Sequence, residues 1–223
     1  MHIRRTLGAA ALAALALTAA AVAPAQADGP AVLTTGSPTG PDAAVGDVLT
    51  ANLLPGSYAT FYNSASGTSG IKCAASSFSA TVTANPAAPG NAVEQLNTQT
   101  FGSCSSNVLG VTSVRSITVN NLPFTNTVGD GPGNPVTLAP GAAGSMRTTV
   151  VLGTILGSVT CVYQNTTGIS GTTSNATNSI GFAGQPFNLV SGSGLCFSVG
   201  YFSATYGPVA DTSVAGSPLI FVN

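Results

Sequence analysis

Phe78-Ser79-Ala80-Thr81-Val82-Thr83 alternates apolar and hydroxyl side chains one residue at a time. Successive side chains of a β-strand point to opposite faces, so Phe78, Ala80 and Val82 share one face and Ser79, Thr81 and Thr83 the other. One face packs, and the other meets water through hydroxyls instead of charges. The same period of two recurs at Ile117-Thr118-Val119 and at Val159-Thr160-Cys161-Val162-Tyr163.

Working outward, further strand-like runs occupy 58–62, 93–101, 108–111, 135–138, 147–152, 180–182, 187–190, 195–206 and 219–222. The 27 glycines and 14 prolines fall between them and punctuate short strands. Beyond the N-terminus no stretch carries the i, i+3, i+4 apolar spacing of an amphipathic helix. The fold class is therefore all-β: a disulfide-stabilised antiparallel β-sandwich, or a barrel-like sandwich, after an N-terminal helical signal peptide. Residues 28–223 form the all-β part, as one elaborate unit or two small ones, with 129–135 as the best candidate boundary or exposed loop.

The signal is read from Met1-His2-Ile3-Arg4-Arg5, a basic start, followed by the uncharged apolar stretch 7–22 and by Ala25-Gln26-Ala27. Charge, apolar core and small-x-small site define a secretory signal peptide, with cleavage expected between Ala27 and Asp28. The apolar stretch is shorter than the roughly 20 residues a membrane span needs, and Pro24 ends it. Arg4-Arg5 suits a twin-arginine signal as well as an ordinary one, so both the Tat and the Sec routes stay open.

Cleavage leaves Lys72, Arg115 and Arg147 against Asp28, Asp42, Asp47, Glu94, Asp130 and Asp211. A chain this poor in cations cannot neutralise a run of phosphates, so nucleic acid is excluded as a partner. No later segment reads as a span, and the mature form is expected to be released, with no membrane partner. Its only histidine, His2, leaves with the signal, which removes Ser-His-Asp and Cys-His catalysis and His-ligated metals. Lys72, beside Cys73 on a strand, lacks a Ser-x-x-Lys partner and reads as a solvated residue. Asp42 and Asp47 lie in a Pro/Gly-rich lead-in and read as turn formers. Asp130, in Gly129-Asp130-Gly131, offers calcium one carboxylate with no second acid nearby in sequence. No cofactor, metal or catalytic residue is assigned.

Cys73, Cys104, Cys161 and Cys196 are an even set in an exported chain and read as two disulfides. Gly70-Ile71-Lys72-Cys73 and Gly157-Ser158-Val159-Thr160-Cys161 share a glycine-opened context, and Gly-Ser precedes Cys104 while Cys196 follows a Gly/Ser stretch. The matched contexts favour Cys73–Cys104 and Cys161–Cys196 and hint at a two-part plan. Loops of this length restrict the unfolded chain by roughly 3.5 to 4 kcal/mol each in the chain-entropy model. The aromatic group Phe197, Tyr201, Phe202 and Tyr206 reads as core on a two-sided strand, with Tyr62 and Tyr206 the residues expected to reach a surface.

The segments Ala31-Val32-Leu33-Thr34-Thr35-Gly36, Val45-Gly46-Asp47-Val48-Leu49-Thr50, Ser69-Gly70-Ile71-Lys72-Cys73, Ile117-Thr118-Val119-Asn120-Asn121-Leu122-Pro123, Leu156-Gly157-Ser158-Val159-Thr160-Cys161-Val162-Tyr163 and Phe202-Ser203-Ala204-Thr205-Tyr206-Gly207-Pro208-Val209 resemble a group of exported actinobacterial proteins, the Tat pathway signal sequence domain proteins. The resemblance implies export and a Gram-positive, high-GC host, and no activity. The function expected is that of a secreted, non-catalytic binding or structural protein with an extracellular partner: a glycan, a protein or a small molecule. Two alternatives stand beside it. A small-molecule carrier needs an apolar cavity of several hundred Å3, and a carboxylate-based hydrolase needs two acids brought together by the fold.

Overall fold

The computed structural model describes residues 29–223. The signal peptide at 1–27 and the junction of Ala27 and Asp28 lie outside the described residues. In chain order the strands are β1 (Leu33–Thr35), β2 (Val48–Asn52), β3 (Ala59–Tyr62), β4 (Gly70–Ala84), β5 (Asn91–Ser106), β6 (Val111–Asn120), β7 (Phe124–Gly129) and β8 (Pro135–Ala139). There follow β9 (Met146–Thr154), β10 (Gly157–Asn165), β11 (Ile169–Ser174), β12 (Ser179–Ser191), β13 (Val199–Tyr206), β14 (Ala210–Asp211) and β15 (Ile220–Val222). No helix occurs among the described residues.

Every ladder is antiparallel. In the order β11-β8-β7-β5-β4-β3-β13-β12 and back to β11, the strands close into an eight-membered barrel-like ring. Closure removes the free sheet edges that a sandwich leaves. From β12 the sheet continues through β10 and β9 to β6, which packs beside the end of β5 without a ladder. The long strands β4, β5 and β12, with the shorter β13, contribute to both halves of the molecule. One half, here the loop half, is completed by β3, β6, β9 and β10. The base half is completed by β2, β7, β8, β11 and β14, and β1 pairs with β15 beneath it, Leu33 opposite Val222. Asn223 ties this clasp through its amide, which donates to the Ala31 carbonyl at 2.9 Å and to Thr34 Oγ1 at 3.0 Å.

The alternation that defines β4 has its expected outcome: Phe78, Ala80 and Val82 are buried, and Ser79, Thr81 and Thr83 are not. Facing them, β7 and β8 bury Phe124, Val128, Val136 and Leu138. In the loop half Phe61 meets Tyr163 edge-on at 4.7 Å between ring centroids and Phe187 at 6.2 Å. Phe202 lies between Phe101 and Phe182, at 6.2 and 6.5 Å. Gly200 makes room for the first group: a Cβ there would overlap the Phe61 ring.

The two disulfides are Cys73–Cys104 and Cys161–Cys196, the sequential pairing expected. Cys73 and Cys104 stand directly opposite in the β4–β5 ladder, whereas Cys161 on β10 anchors the loop between β12 and β13. Both bridges lie in the loop half, and such bonds form and persist in oxidising compartments.

Several expectations are corrected. The stretch 129–135 is the tight connection of the β7–β8 hairpin. Strands from before and after it alternate around one ring, so of its two readings, boundary or exposed loop, the structure shows the loop; the two halves of the sequence share this ring. Residues 108–111 form a turn in which the Val111 N–H donates to the Val108 carbonyl at 3.0 Å and Gly110 takes a left-handed φ of 87°. Runs 180–182 and 187–190 belong to one strand, β12, with an irregularity between Phe182 and Gln185. Strand β13 starts only at Val199, so Phe197 and Cys196 sit in the preceding loop. Tyr206, expected at a surface, is 2% exposed.

Candidate functional site

The most unusual interior group is Glu94. It occupies an inward position of β5 between Ala92 and Leu96, is 2% exposed, and faces Asn126 across the β5–β7 ladder. Asn126 Nδ2 donates to Glu94 Oε2 at 2.8 Å. Burial disfavours the charged carboxylate and pushes its pKa from 4.5 up to about 7; the bond from Asn126 pulls the other way. A second polar group lies further along the lumen. Gln99 Nε2 donates to Ser76 Oγ and to the Tyr206 hydroxyl, both at 2.9 Å, and Ser76 Oγ donates to the Thr100 carbonyl at 2.6 Å. Removed from water, the Tyr206 phenol is pushed up to about 12 despite its bonds to Ser76 and Gln99.

Three of the cavities among the described residues are lined by inward-facing side chains of the barrel. The two that touch Glu94 have volumes of about 20 and 30 Å3, room for a water or two at about 10 to 15 Å3 each. Glu94 can hold a proton to neutral pH, beside cavities of water size. The third void, in the loop half, is lined by Phe61, Phe101, Ile117, Val119, Phe187 and Phe202 among others and measures about 80 Å3. An apolar cavity that admits benzene is about 150 Å3, and ordinary ligand sites start near 300 Å3. This void is smaller than either.

The fold joins two acids that are distant in sequence. Asp211, on β14, is fully buried beside Asp47, which precedes β2. Its Oδ1 accepts the Ser213 N–H at 2.9 Å, while Oδ2 is buried with no partner among the described residues. Burial raises the Asp211 pKa, the N–H groups of Ser213 and Val214 lower it, and the Asp47 carboxyl raises it again. Asp47 Oδ2 accepts the Ala44 N–H at 2.7 Å, the turn role expected. Both acids are engaged by the protein's own backbone, Asp211 through Ser213 and Asp47 through Ala44. Asp42 and Asp130 also bind backbone, accepting the N–H groups of Ala31 and Gly90. No group of three or more metal-ligating side chains occurs among the described residues.

The surface is more informative. Val111 and Gly157 both stand opposite Thr154, which brings the β5–β6 turn and the β9–β10 hairpin to one end of the sheet. There Leu109 is 94% exposed, Ile155 87% and Leu156 94%. Val190, near the end of β12, adds a fourth exposed aliphatic group. Asn107 stiffens this end: its Oδ1 accepts the Gly70 N–H at 2.8 Å and its Nδ2 donates to the Thr68 carbonyl at 2.9 Å, linking the β3–β4 and β5–β6 connections. Charge is divided along the same axis. The exposed cations Lys72 and Arg115 are in the loop half, with Lys72 Nζ 3.5 Å above the Tyr58 ring. Asp42, Asp47, Glu94, Asp130 and Asp211 are all in the base half. Neither the aliphatic tips nor the buried Glu94 was singled out from the sequence, although Ala92-Val93-Glu94-Gln95-Leu96 carries the alternation that turns Glu94 inward.

Compared with known protein families, curated proteins and solved structures, the chain matches none.

Proposed function

We propose that the protein is an exported, non-catalytic binding protein that meets its extracellular partner with the loop end of the barrel. One observation carries the reading: Leu109, Ile155 and Leu156 are almost wholly exposed at one end and contribute nothing to the core. The signal-like N-terminus and two disulfides support work outside the cell, by either export route. The acids support binding over hydrolysis, since the cavities beside Glu94 are of water size and Asp47 and Asp211 are engaged by backbone N–H groups.

The test uses residues 28–223, which contain every strand among the described residues and both disulfides. Retention on intact Gram-positive cells is compared between this protein and the variant L109S/I155S/L156S. Glycoside, ester and peptide substrates are offered to it and to E94Q and D47N. Retention should fall in the loop variant, with no turnover by any form. Unchanged retention, or turnover that one acid substitution abolishes in a folded protein, would refute the proposal.

A further inference from the structure

We infer that the partner of the loop end is a lipid bilayer bearing anionic headgroups, with Leu109, Ile155 and Leu156 entering its interface; this rests on the loop-end reading above. Ile155 and Leu156 are the two connecting residues of the β9–β10 hairpin, where turn geometry favours Gly, Asn and Asp. Neither the turn nor the core calls for aliphatic side chains there. Leu109 repeats the pattern on a separate turn, just before Gly110. Protein interfaces have a contiguous, close-packed centre. Side chains standing on separate tips instead suit a fluid apolar phase that closes around each one.

Charge complements this occupant. Exposed Lys72 and Arg115 lie in the loop half and the acids in the base half, so an anionic surface attracts the first end and repels the second. No carboxylate has to be carried toward the headgroups. Contact of this kind is peripheral, and no helix among the described residues is long and apolar enough to cross a membrane. It departs from the sequence expectation of a mature form without a membrane partner, which weighed spanning segments and covalent or basic anchors and not apolar turns.

The test is flotation of residues 28–223 with vesicles of phosphatidylcholine alone or mixed with phosphatidylglycerol. The mixed vesicles should retain the protein, less so as salt rises. Binding should fall at least about tenfold in L109S/I155S/L156S and several-fold in K72Q/R115Q. Because the three tips are exposed, the loop variant should keep the wild-type melting temperature. Binding that the loop variant retains in full overturns the inference, as does a wild-type dimer that the variant dissolves. Absence of vesicle binding, with cell retention still lost in the loop variant, overturns the lipid assignment and leaves the loop-end reading standing. If neither vesicle binding nor cell retention responds, both fall.

Discussion

In the variant E94Q a neutral amide replaces a carboxyl sealed inside the barrel, and its effect on stability has a sign and a size. The folded protein holds the Glu94 proton up to about pH 7, whereas the unfolded chain releases it near 4.5. Between those values the folded state binds more protons than the unfolded one, so stability falls as pH rises. It is unimpaired below about 4.5 and has lost its full increment above about 7. Integrated over that window the loss is about 3 kcal/mol. Gln carries no charge at any pH, and its carbonyl can accept the same bond from Asn126. E94Q should match the wild type at the acid end of the window. At about pH 8 it should be more stable by about 3 kcal/mol, some 6 to 12 °C in Tm for a chain of this length. Urea unfolding of both proteins across the window is the assay. The difference between them isolates Glu94 from Asp211, which shifts in the same direction. Parallel curves, or a less stable E94Q at the alkaline end, would show that Glu94 is not buried as described.

The double variant C161S/C196S should lose about 3.5 to 4 kcal/mol in urea unfolding, from the 35-residue separation its bridge closes. Thiol titration of the unfolded, unreduced wild type should find no free cysteine. G200A should destabilise by about 1 to 3 kcal/mol, because Phe61 must leave its place against Tyr163 and Phe187; near-ultraviolet circular dichroism should change with it, and an unaltered spectrum and Tm would contradict the aromatic packing. Absorbance titration should show two phenols ionising only near pH 12, Tyr163 and Tyr206, of which Y206F removes one. The same variant removes the bonds of Ser76 and Gln99 to the Tyr206 hydroxyl but keeps those from Gln99 to Ser76 and from Ser76 to Thr100, and should cost about 0.5 to 1.5 kcal/mol in denaturant unfolding.

Strand content was legible wherever one face is apolar and the other hydroxyl, as at Phe78–Thr83 or Val159–Tyr163. It was hidden where an inward position is polar. Strand β7 reads Phe124-Thr125-Asn126-Thr127-Val128, and Asn126 breaks the alternation because its partner inside the barrel is Glu94. Tyr206 was misplaced for a related reason: its hydroxyl finds Ser76 and Gln99, 130 and 107 residues away, so it needs no water. The disulfide pairing was legible because each bridge closes a stretch of moderate length between similar flanks. The candidate site was not, since exposed aliphatic side chains on turns look like strand residues until the register shows them at the tips. Run 108–111, with Leu109 in it, is that case.

The clasp between β1 and β15 joins segments separated by nearly the whole described chain. Synthesis makes β1 early and β15 late, and the ladder between them is among the last that the described strands can complete. Until Ile220–Val222 arrive, Leu33 has no strand opposite it and the base of the ring stays uncovered. Lengthening the closing loop adds little entropy cost, since that cost grows only with the logarithm of length. It must nevertheless be met before any contact of the clasp forms. A chain made only as far as β14 thus remains unlatched, and the latch closes only once β15 is present.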